Sequence, residues 1–326
     1  MVMLPRRVKP LQNSNLIAGP FGRGVRHFGR VFIMERRAKP GYTLPRPRLI
    51  VLSNCKNIRL ENITLQNSPT FHFVPSDCED VLITNVTIKA PSNSPNTDAI
   101  DPSASRHVLI THCTLDVGDD NVAIKAGHTV EGRDAASEDI VIRDCTVLHG
   151  HGISIGSETL GGVRNVKVER CTFQDTENGI RIKSPRGRGG VVQDISYSDI
   201  TMKDVDPAIT ITCYYPKIPA QDGAQAKTET TPDFRNIRIS NLTAQCKRSA
   251  GVVVGLPESP LQGIVLENVN ISAATTGLLM RNVQNVRLKN ARVSVADGPP
   301  FIMENAQVAE ADQTQSTPAP REPRPQ

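Results

Sequence analysis

Hydrophobic and polar residues alternate with a period of two in short segments that recur along most of the chain. Each segment has a polar residue, two apolar residues at alternate positions, then a polar residue, an apolar residue and usually Thr or Asn. The first three copies occupy residues 57–64, 80–87 and 107–114. A period of two predicts a β-strand with one buried face.

The first apolar position of each segment marks a repeat with a mean spacing of 28.5 residues. These positions are Ile58, Val81, Val108, Ile140, Val166, Ile195, Ile237, Ile264 and Val286. A second short strand follows in most copies, and neither strand buries its apolar face alone. Leucine-rich repeats require more Leu, and propeller blades require four strands in about 40 residues. The pattern therefore predicts an all-β fold, a parallel β-helix of about 9–10 coils.

Stacked coils predict columns of equivalent side chains. Cys113, Cys145 and Cys171 fall in a column that is otherwise small or apolar, which indicates core packing, because zinc ligands come in closely spaced pairs. The residue before that column is polar, as at Asn62 and Asn85, and predicts a hydrogen-bonded ladder at a bend.

Composition separates the ends of the chain from its repeats. Residues 1–48 hold eleven basic residues and one acid, whereas the net charge of the 326 residues is only +5. Such a segment attracts polyanions, but nucleic-acid motifs are missing and aromatic residues make up only 4%. We expect an atypical basic N-terminal segment and cap at 1–46, a β-helix domain at 47–307 and a disordered Pro-rich tail at 308–326. No apolar run approaches the ~20 residues of a membrane span.

One column of polar residues on the second strands breaks the structural pattern. Two positions before the apolar residues of consecutive strands stand Asp98, Asp120, His151 and Asn178, and Asp119 adjoins Asp120. Coils ~4.8 Å apart would bring these carboxylates together, where unpaired charges repel one another. Folding gains nothing from that arrangement, so the column predicts a functional site.

Two cations lie close to this column. Arg181 and Lys183 follow the next strand's first apolar residue at the outward positions. Carboxylates that do the chemistry and cations that hold an acid group together fit an anionic sugar. The sequence thus favours a site for an acidic polysaccharide.

Four ordered motifs resemble those of the polygalacturonases of glycoside hydrolase family 28. They are Asn96-Thr97-Asp98, Gly118-Asp119-Asp120, Gly150-His151-Gly152 and Arg181-Ile182-Lys183, and the similarity extends over about residues 47–290. The resemblance implies a right-handed parallel β-helix. It also implies inverting, single-displacement hydrolysis of α-1,4-linked galacturonic acid in pectin, with no metal and no cofactor.

The resemblance also implies roles for the catalytic residues. Asp119 matches the general acid that protonates the glycosidic oxygen, and Asp98 with Asp120 matches the pair that positions and activates water. His151 matches the active-site histidine that tunes the acid.

Substrate-binding roles follow in the same way. Arg181 and Lys183 match the residues that bind the substrate carboxylate. Tyr215 is the better match to a substrate-contacting tyrosine, and Tyr214 is the alternative. The sequence departs from the family pattern at Ala99, where Gly is usual, and at Asn121, where Cys is usual.

The resemblance implies an extracellular or periplasmic enzyme, although residues 1–7 lack the apolar core of a secretory signal. The expected partner is pectin or polygalacturonate, with no nucleic acid and no membrane, and we expect a monomer. Two alternatives stay open. A pectate lyase would need calcium, which Asp98, Asp119 and Asp120 could hold, whereas the His and Arg-Ile-Lys motifs argue against it. A non-catalytic β-helix would only bind acidic glycan.

Overall fold

The chain is a right-handed parallel β-helix, seen in a computed structural model that describes residues 46–129 and 134–311. Every regular element in these two ranges is a β-strand, and every strand pairs in parallel with its neighbours. No helix in the described ranges has the length and apolarity needed to cross a bilayer.

The strands line up on three faces of the coil. The first face, called here the site face, contains β1 (Ile50–Ser53), β4 (Phe73–Ser76), β9 (Val122–Ile124), β12 (Ile153–Ile155), β15 (Ile180–Lys183), β17 (Ile209–Thr212) and β19 (Ser249–Val254). The second face contains β2 (Lys56–Glu61), β5 (Glu79–Thr84), β7 (Arg106–Thr111), β10 (Ser137–Arg143) and β13 (Val163–Glu169). The third contains β3 (Thr64–Gln66), β6 (Thr87–Lys89), β8 (Thr114–Asp116), β11 (Thr146–Leu148) and β14 (Thr172–Gln174).

Towards the C-terminus the strands lengthen and cross from one face to the next. These longer strands are β16 (Val191–Val205), β18 (Asp233–Cys246), β20 (Leu261–Ala273), β21 (Thr276–Val295) and β22 (Phe301–Ala311). The predicted repeat positions pair from coil to coil, from Ile58 with Val81 to Ile237 with Ile264. A tenth coil, at Val308, pairs with Val286. The predicted fold class is confirmed.

The core is a set of apolar columns inside the coil. Ile100, Val122, Ile153, Ile180 and Ile209 stack on the site face and are fully buried. The cysteines at the predicted column, Cys113, Cys145 and Cys171, are buried free thiols. Parallel stacking lets each apolar side chain cover the one below it, which neither strand achieves alone.

The coil bends at residues with left-handed backbone geometry. Asn62, Asn85, Asn241 and Asn268 have φ between 52° and 55°. The Nδ2 atom of Asn85 donates to Oδ1 of Asn62 at 2.6 Å, and that of Asn268 donates to Oδ1 of Asn241 at 3.1 Å. Asn and Asp tolerate this conformation better than other residues with a Cβ atom, so the predicted ladder is confirmed with a conformational reason for its composition.

The C-terminal boundary differs from the expected one. Strand β22 continues to Ala311, four residues into the segment expected to be a tail, because Arg287 and Leu288 of β21 pair with its last residues. The rest of that segment, residues 312–326, and residues 1–45 of the expected N-terminal segment lie outside the described residues. Cys55 and Cys78, which occupy matching positions in neighbouring coils, are both free thiols.

Candidate active site

The polar column lies at the N-terminal ends of stacked strands on the site face. Ile100 pairs with Val122, Val122 with Ile153 and Ile153 with Ile180. Residues just before these positions therefore project from successive coils at one edge of the sheet. This register brings together all of the predicted catalytic residues, which are Asp98, Asp119, Asp120 and His151, and also Arg181 and Lys183.

Asp119 and His151 form a hydrogen-bonded pair. The Nδ1 atom of His151 lies 3.1 Å from Oδ1 of Asp119, and the backbone N–H of His151 donates to the Asp119 carbonyl at 2.9 Å. The N–H groups of Asn96 and Asp120 also donate to the Asp119 carboxylate, at 3.0 and 2.9 Å. Burial raises the pKa of Asp119, but the His151 bond and charge outweigh it and lower the pKa to about 2.

The other side of the His151 ring faces a glutamate. Its Nε2 atom lies 3.1 Å from Oε2 of Glu177, whose side chain is 74% exposed. Burial lowers the pKa of His151, but the hydrogen bond to Asp119 outweighs burial, so the net pKa lies above its usual value. The imidazole is consequently the proton-bearing member of the pair with Asp119.

The two glycines that flank His151 are required by close backbone contacts. Gly150 and Gly152 both have φ of +70°, and a Cβ atom at either position would lie 2.3 Å from a backbone carbonyl oxygen. Asn121 fixes the same turn, since its Oδ1 atom accepts the Gly152 N–H at 2.9 Å and its Nδ2 atom donates to the Leu115 carbonyl at 2.9 Å. The family departure at Asn121 thus holds the His151 turn against the Asp119 turn.

Asp120 is a buried carboxylate surrounded by donors. Its Oδ1 atom accepts hydrogen bonds from Arg181 at 2.9 Å and from the Ser154 hydroxyl at 2.7 Å, and its Oδ2 atom accepts from Lys183 at 2.9 Å. Burial raises the pKa of Asp120, but the charges of Lys183 and Arg181 outweigh it, so the net pKa is lowered. Asp120 is therefore an anion held by two cations.

Asp98 lies one coil away from Asp120, and its pKa shifts in the opposite direction. Asp98 as a whole residue is 3% exposed, and its Oδ2 atom accepts a hydrogen bond from Nζ of Lys125 at 3.1 Å. Lys125 also forms an ion pair with Asp101, which is 1% exposed. Burial and the nearby charge of Asp101 raise the pKa of Asp98 well above its usual range, although Lys125 opposes them.

The two tyrosines after β17 differ in their contacts. Nζ of Lys183 lies 5.2 Å from the centroid of the Tyr215 ring, whereas the Tyr214 hydroxyl donates to Asp222 at 2.7 Å. Arg186 binds both Asp222, at 2.7 Å, and Glu258, at 2.6 Å. Tyr214 therefore belongs to a network that fastens residues 216–232, called here the inserted loop because the repeat positions Ile195 and Ile237 are 42 residues apart. Tyr215 adjoins the cation group.

Three ligand groups in the site are close enough to share a cation. Oxygen or nitrogen atoms of Asp119, Asp120 and His151 lie within 4.8 Å of one another. Arg181 and Lys183 offset the charge of Asp120, and a protonated His151 offsets that of Asp119, so this group has little negative charge left to attract a metal ion.

The sequence analysis missed three polar residues at this site, two of them buried and one half-buried, although the register contained a signal for them. Arg181 and Lys183 follow their apolar anchor Ile180 by one and three positions. Asp101 follows Ile100 by one, Ser154 follows Ile153 by one, and Lys125 follows Val122 by three. The same two outward positions thus carry site residues on four consecutive coils. Glu177 also had a signal, because it precedes Ile180 by three positions, as Asp119 precedes Val122.

Residues 36–295 match the family model of glycosyl hydrolases family 28. The chain belongs to glycosyl hydrolases family 28. An endo-polygalacturonase of Pectobacterium carotovorum subsp. carotovorum is 39% identical over 251 residues, which are 74% of this chain and 56% of that protein. A probable polygalacturonase of Vitis vinifera is 35% identical over 237 residues, 70% of this chain and 47% of that protein.

The family fold is also seen in a solved structure. A polygalacturonase from Erwinia carotovora ssp. carotovora superimposes with a TM-score of 0.66 at 37% identity, covering 78% of this chain and 64% of that one. The chain spans about half the length of the curated relatives it matches. The four family 28 motifs quoted from the sequence all lie within the matched residues.

Proposed function

We propose that this chain hydrolyses α-1,4-linked galacturonic acid in pectin or polygalacturonate by a single-displacement, inverting reaction. The observation that carries the proposal is the gathering of three carboxylates, one imidazole and two cations at one edge of the site face. Membership of glycosyl hydrolases family 28 and the names of its relatives, which are polygalacturonases, support the substrate class.

Asp119 delivers the proton to the glycosidic oxygen in this proposal. A carboxyl group with a pKa of about 2 is ionised at neutral pH, whereas the pKa of His151 is raised, so His151 is the member of the pair that takes up the proton as the pH is lowered. It passes across the 3.1 Å hydrogen bond to Asp119 as negative charge develops on the leaving oxygen. His151 thereby acts as the proton reserve of the general acid.

Asp98 and Asp120 position and activate the attacking water. Asp120 is kept ionised by Lys183 and Arg181, so it accepts a hydrogen bond from the water without taking its proton. Asp98 has the higher proton affinity of the two, because it is buried beside Asp101, and it takes the proton as the water oxygen bonds to the anomeric carbon. The leaving sugar is expelled from the opposite side of the ring.

Arg181, Lys183 and Tyr215 form the substrate-binding part of the site. The two cations bind the galacturonate carboxylate, and the Tyr215 ring beside Lys183 packs against the sugar. A methyl ester removes the negative charge, so de-esterified substrate is preferred. In this proposal the chain acts outside the cell, on the pectin of plant cell walls. It acts as a monomer.

The proposal is tested by incubating the protein with polygalacturonate, with and without a chelator, and identifying the products. We expect saturated oligomers or monomer, at a rate that chelation does not change. Unsaturated, ultraviolet-absorbing ends or a calcium requirement would instead indicate a lyase. Binding without any new reducing ends would indicate a non-catalytic acidic-glycan-binding protein.

A further inference from the structure

Asp98 belongs to a buried group of three charged side chains. Lys125 forms ion pairs with both Asp98 and Asp101, and the carboxyl groups of Asp98 and Asp101 lie within hydrogen-bonding reach of each other. The side chains of the two carboxylates are 5% and 1% exposed, and that of Lys125 is 17% exposed. Two acids and one base in so little water leave one uncompensated negative charge.

One oxygen of this group lacks a donor among the described residues. The Oδ2 atom of Asp101 is buried and accepts no hydrogen bond, whereas the ion pair with Lys125 involves Oδ1. A buried carboxylate oxygen without a donor is rare and costs free energy. Before the reaction the pair is therefore unprotonated and ready to take a proton, and a proton accepted from the attacking water would both supply the missing donor and remove the excess charge.

Resting on the function proposed above, we infer that Asp101 and Lys125 are positioning residues that make Asp98 the proton acceptor of the reaction. The accepted proton is shared between the carboxyl groups of Asp98 and Asp101. The water O–H bond breaks, its proton goes to the Asp98–Asp101 pair, and its oxygen bonds to the anomeric carbon. The bond from that carbon to the glycosidic oxygen breaks, and this oxygen takes the proton from Asp119.

The surroundings of Asp98 support this division of roles. Asp119 and Asp120 face it from the turn before β9, and both of their negative charges increase its proton affinity. His72, before β4, contacts the Asp98 backbone carbonyl at 3.0 Å, and burial lowers its pKa, so it is neutral. Phe71 packs against Lys125, with Nζ 4.2 Å from the ring centroid, and fixes the cation between the two acids.

The test compares the pH dependence of kcat/KM on polygalacturonate in Asp101→Asn and Lys125→Met. The acidic limb of this pH profile reports the pKa of the essential base in the free enzyme. A nearby like charge raises a carboxyl pKa, so loss of the Asp101 charge should move the acidic limb about 1–2 pH units lower. Loss of the Lys125 charge should move it higher. In Asp101→Asn the kcat plateau should also fall, because Asp98 becomes a weaker base. Asp139→Asn, an exposed carboxylate on β10, is the control and should leave the limb in place.

A purely structural role would lower activity equally at every pH, and unshifted limbs in both variants would overturn the inference. If Lys125→Met does not fold, Asp101→Asn decides alone. Infrared spectroscopy gives a readout that does not depend on turnover: in the wild type the carbonyl band of a protonated carboxyl should appear as the pH is lowered through the acidic limb, and in Asp101→Asn it should appear only at a lower pH. A wild type that shows the band but no hydrolysis would contradict the proposed function and leave the shared proton intact, whereas hydrolysis without the band would contradict the shared proton only.

Discussion

The Nζ atom of Lys183 lies 2.9 Å from Oδ2 of Asp120, and both side chains are almost fully buried. The sequence predicted that Lys183 points outward to meet a substrate carboxylate. The side chain does leave β15 on its outward side, but in this structure its charge is already paired with the Asp120 carboxylate. The same cation can therefore hold Asp120 ionised and bind the sugar, and its removal should affect both.

Substitution of Lys183 by Ala should weaken substrate binding and also change the pH dependence. A charge-assisted hydrogen bond contributes about 1.5–3 kcal/mol, so kcat/KM should fall by about 10–150-fold. Without the cation the pKa of Asp120 rises, and the acidic limb should move to higher pH. Steady-state kinetics across pH on polygalacturonate and on methylated pectin measure both effects. An unchanged KM together with equal cleavage of methylated pectin would show that Lys183 does not bind the substrate.

Substitution of Asp119 by Asn should abolish most hydrolysis and preserve the fold. An amide cannot pass a proton to the glycosidic oxygen, and general acid catalysis typically contributes ~10²–10⁴-fold. Activity and circular dichroism of the purified variant check the two halves of the prediction. Turnover close to that of the wild type would mean that another group donates the proton.

The titration of His151 should reveal its pairing with Asp119. The raised pKa predicts an imidazole that is more than half protonated at pH 6.5. Asp119→Asn should lower that pKa, because the other acids compensate poorly: Asp120 lies farther away, at 3.9 Å, and Glu177 is exposed, while Arg181 repels the charge. Imidazole NMR shifts across pH measure it. Because the folded pKa is above the unfolded one, the pair stabilises the fold fully below about pH 6.5, and this contribution is lost as the pH rises through the folded pKa. Equal His151 pKa values in both proteins would contradict the pairing.

Substitution of Arg186 by Ala should release the inserted loop that carries its partner Asp222. The bidentate contact with Glu258 and the bond to Asp222 are lost together. We expect faster proteolysis within residues 216–232 and a higher KM, because Tyr215 adjoins the loop, with a smaller change in kcat. Arg188→Ala is the matched control, since Arg188 pairs with the half-exposed Glu158. Identical proteolysis of the two variants would show that the network does not anchor the loop.

Substitution of Gly152 by Ala should destabilise the protein more than substitution of Gly187. Both glycines have positive φ, but a Cβ atom at Gly152 would lie 2.3 Å from two carbonyl oxygens, whereas one at Gly187 would meet nothing within 4 Å. Gly187→Ala should cost about 1–2 kcal/mol for the backbone conformation alone, and Gly152→Ala about 1–3 kcal/mol more for the clash. Chemical denaturation measures both. Equal losses would show that the His151 turn is not tightly packed.

The repeat, the fold class and the convergence of the candidate site residues could all be predicted from the sequence. A parallel coil places residues by register alone, so the spacing of apolar residues such as Ile100, Val122, Ile153 and Ile180 determined which polar side chains would meet. The same rule, applied to every outward position, would also have found Asp101, Ser154 and Lys125. The alternation of apolar and polar residues within a strand and the spacing between repeats are both present in the sequence itself.

Only the tertiary structure decided how the charges pair. Asp98 and Asp120 occupy the same register, yet their pKa values shift in opposite directions, because Asp120 meets cations 61 and 63 residues away and Asp98 meets a second buried acid. The choice between Tyr214 and Tyr215 likewise depends on Arg186 and on the inserted loop. Electrostatic energies depend on distance and burial in three dimensions, and a linear pattern fixes neither quantity for side chains that converge from separate coils.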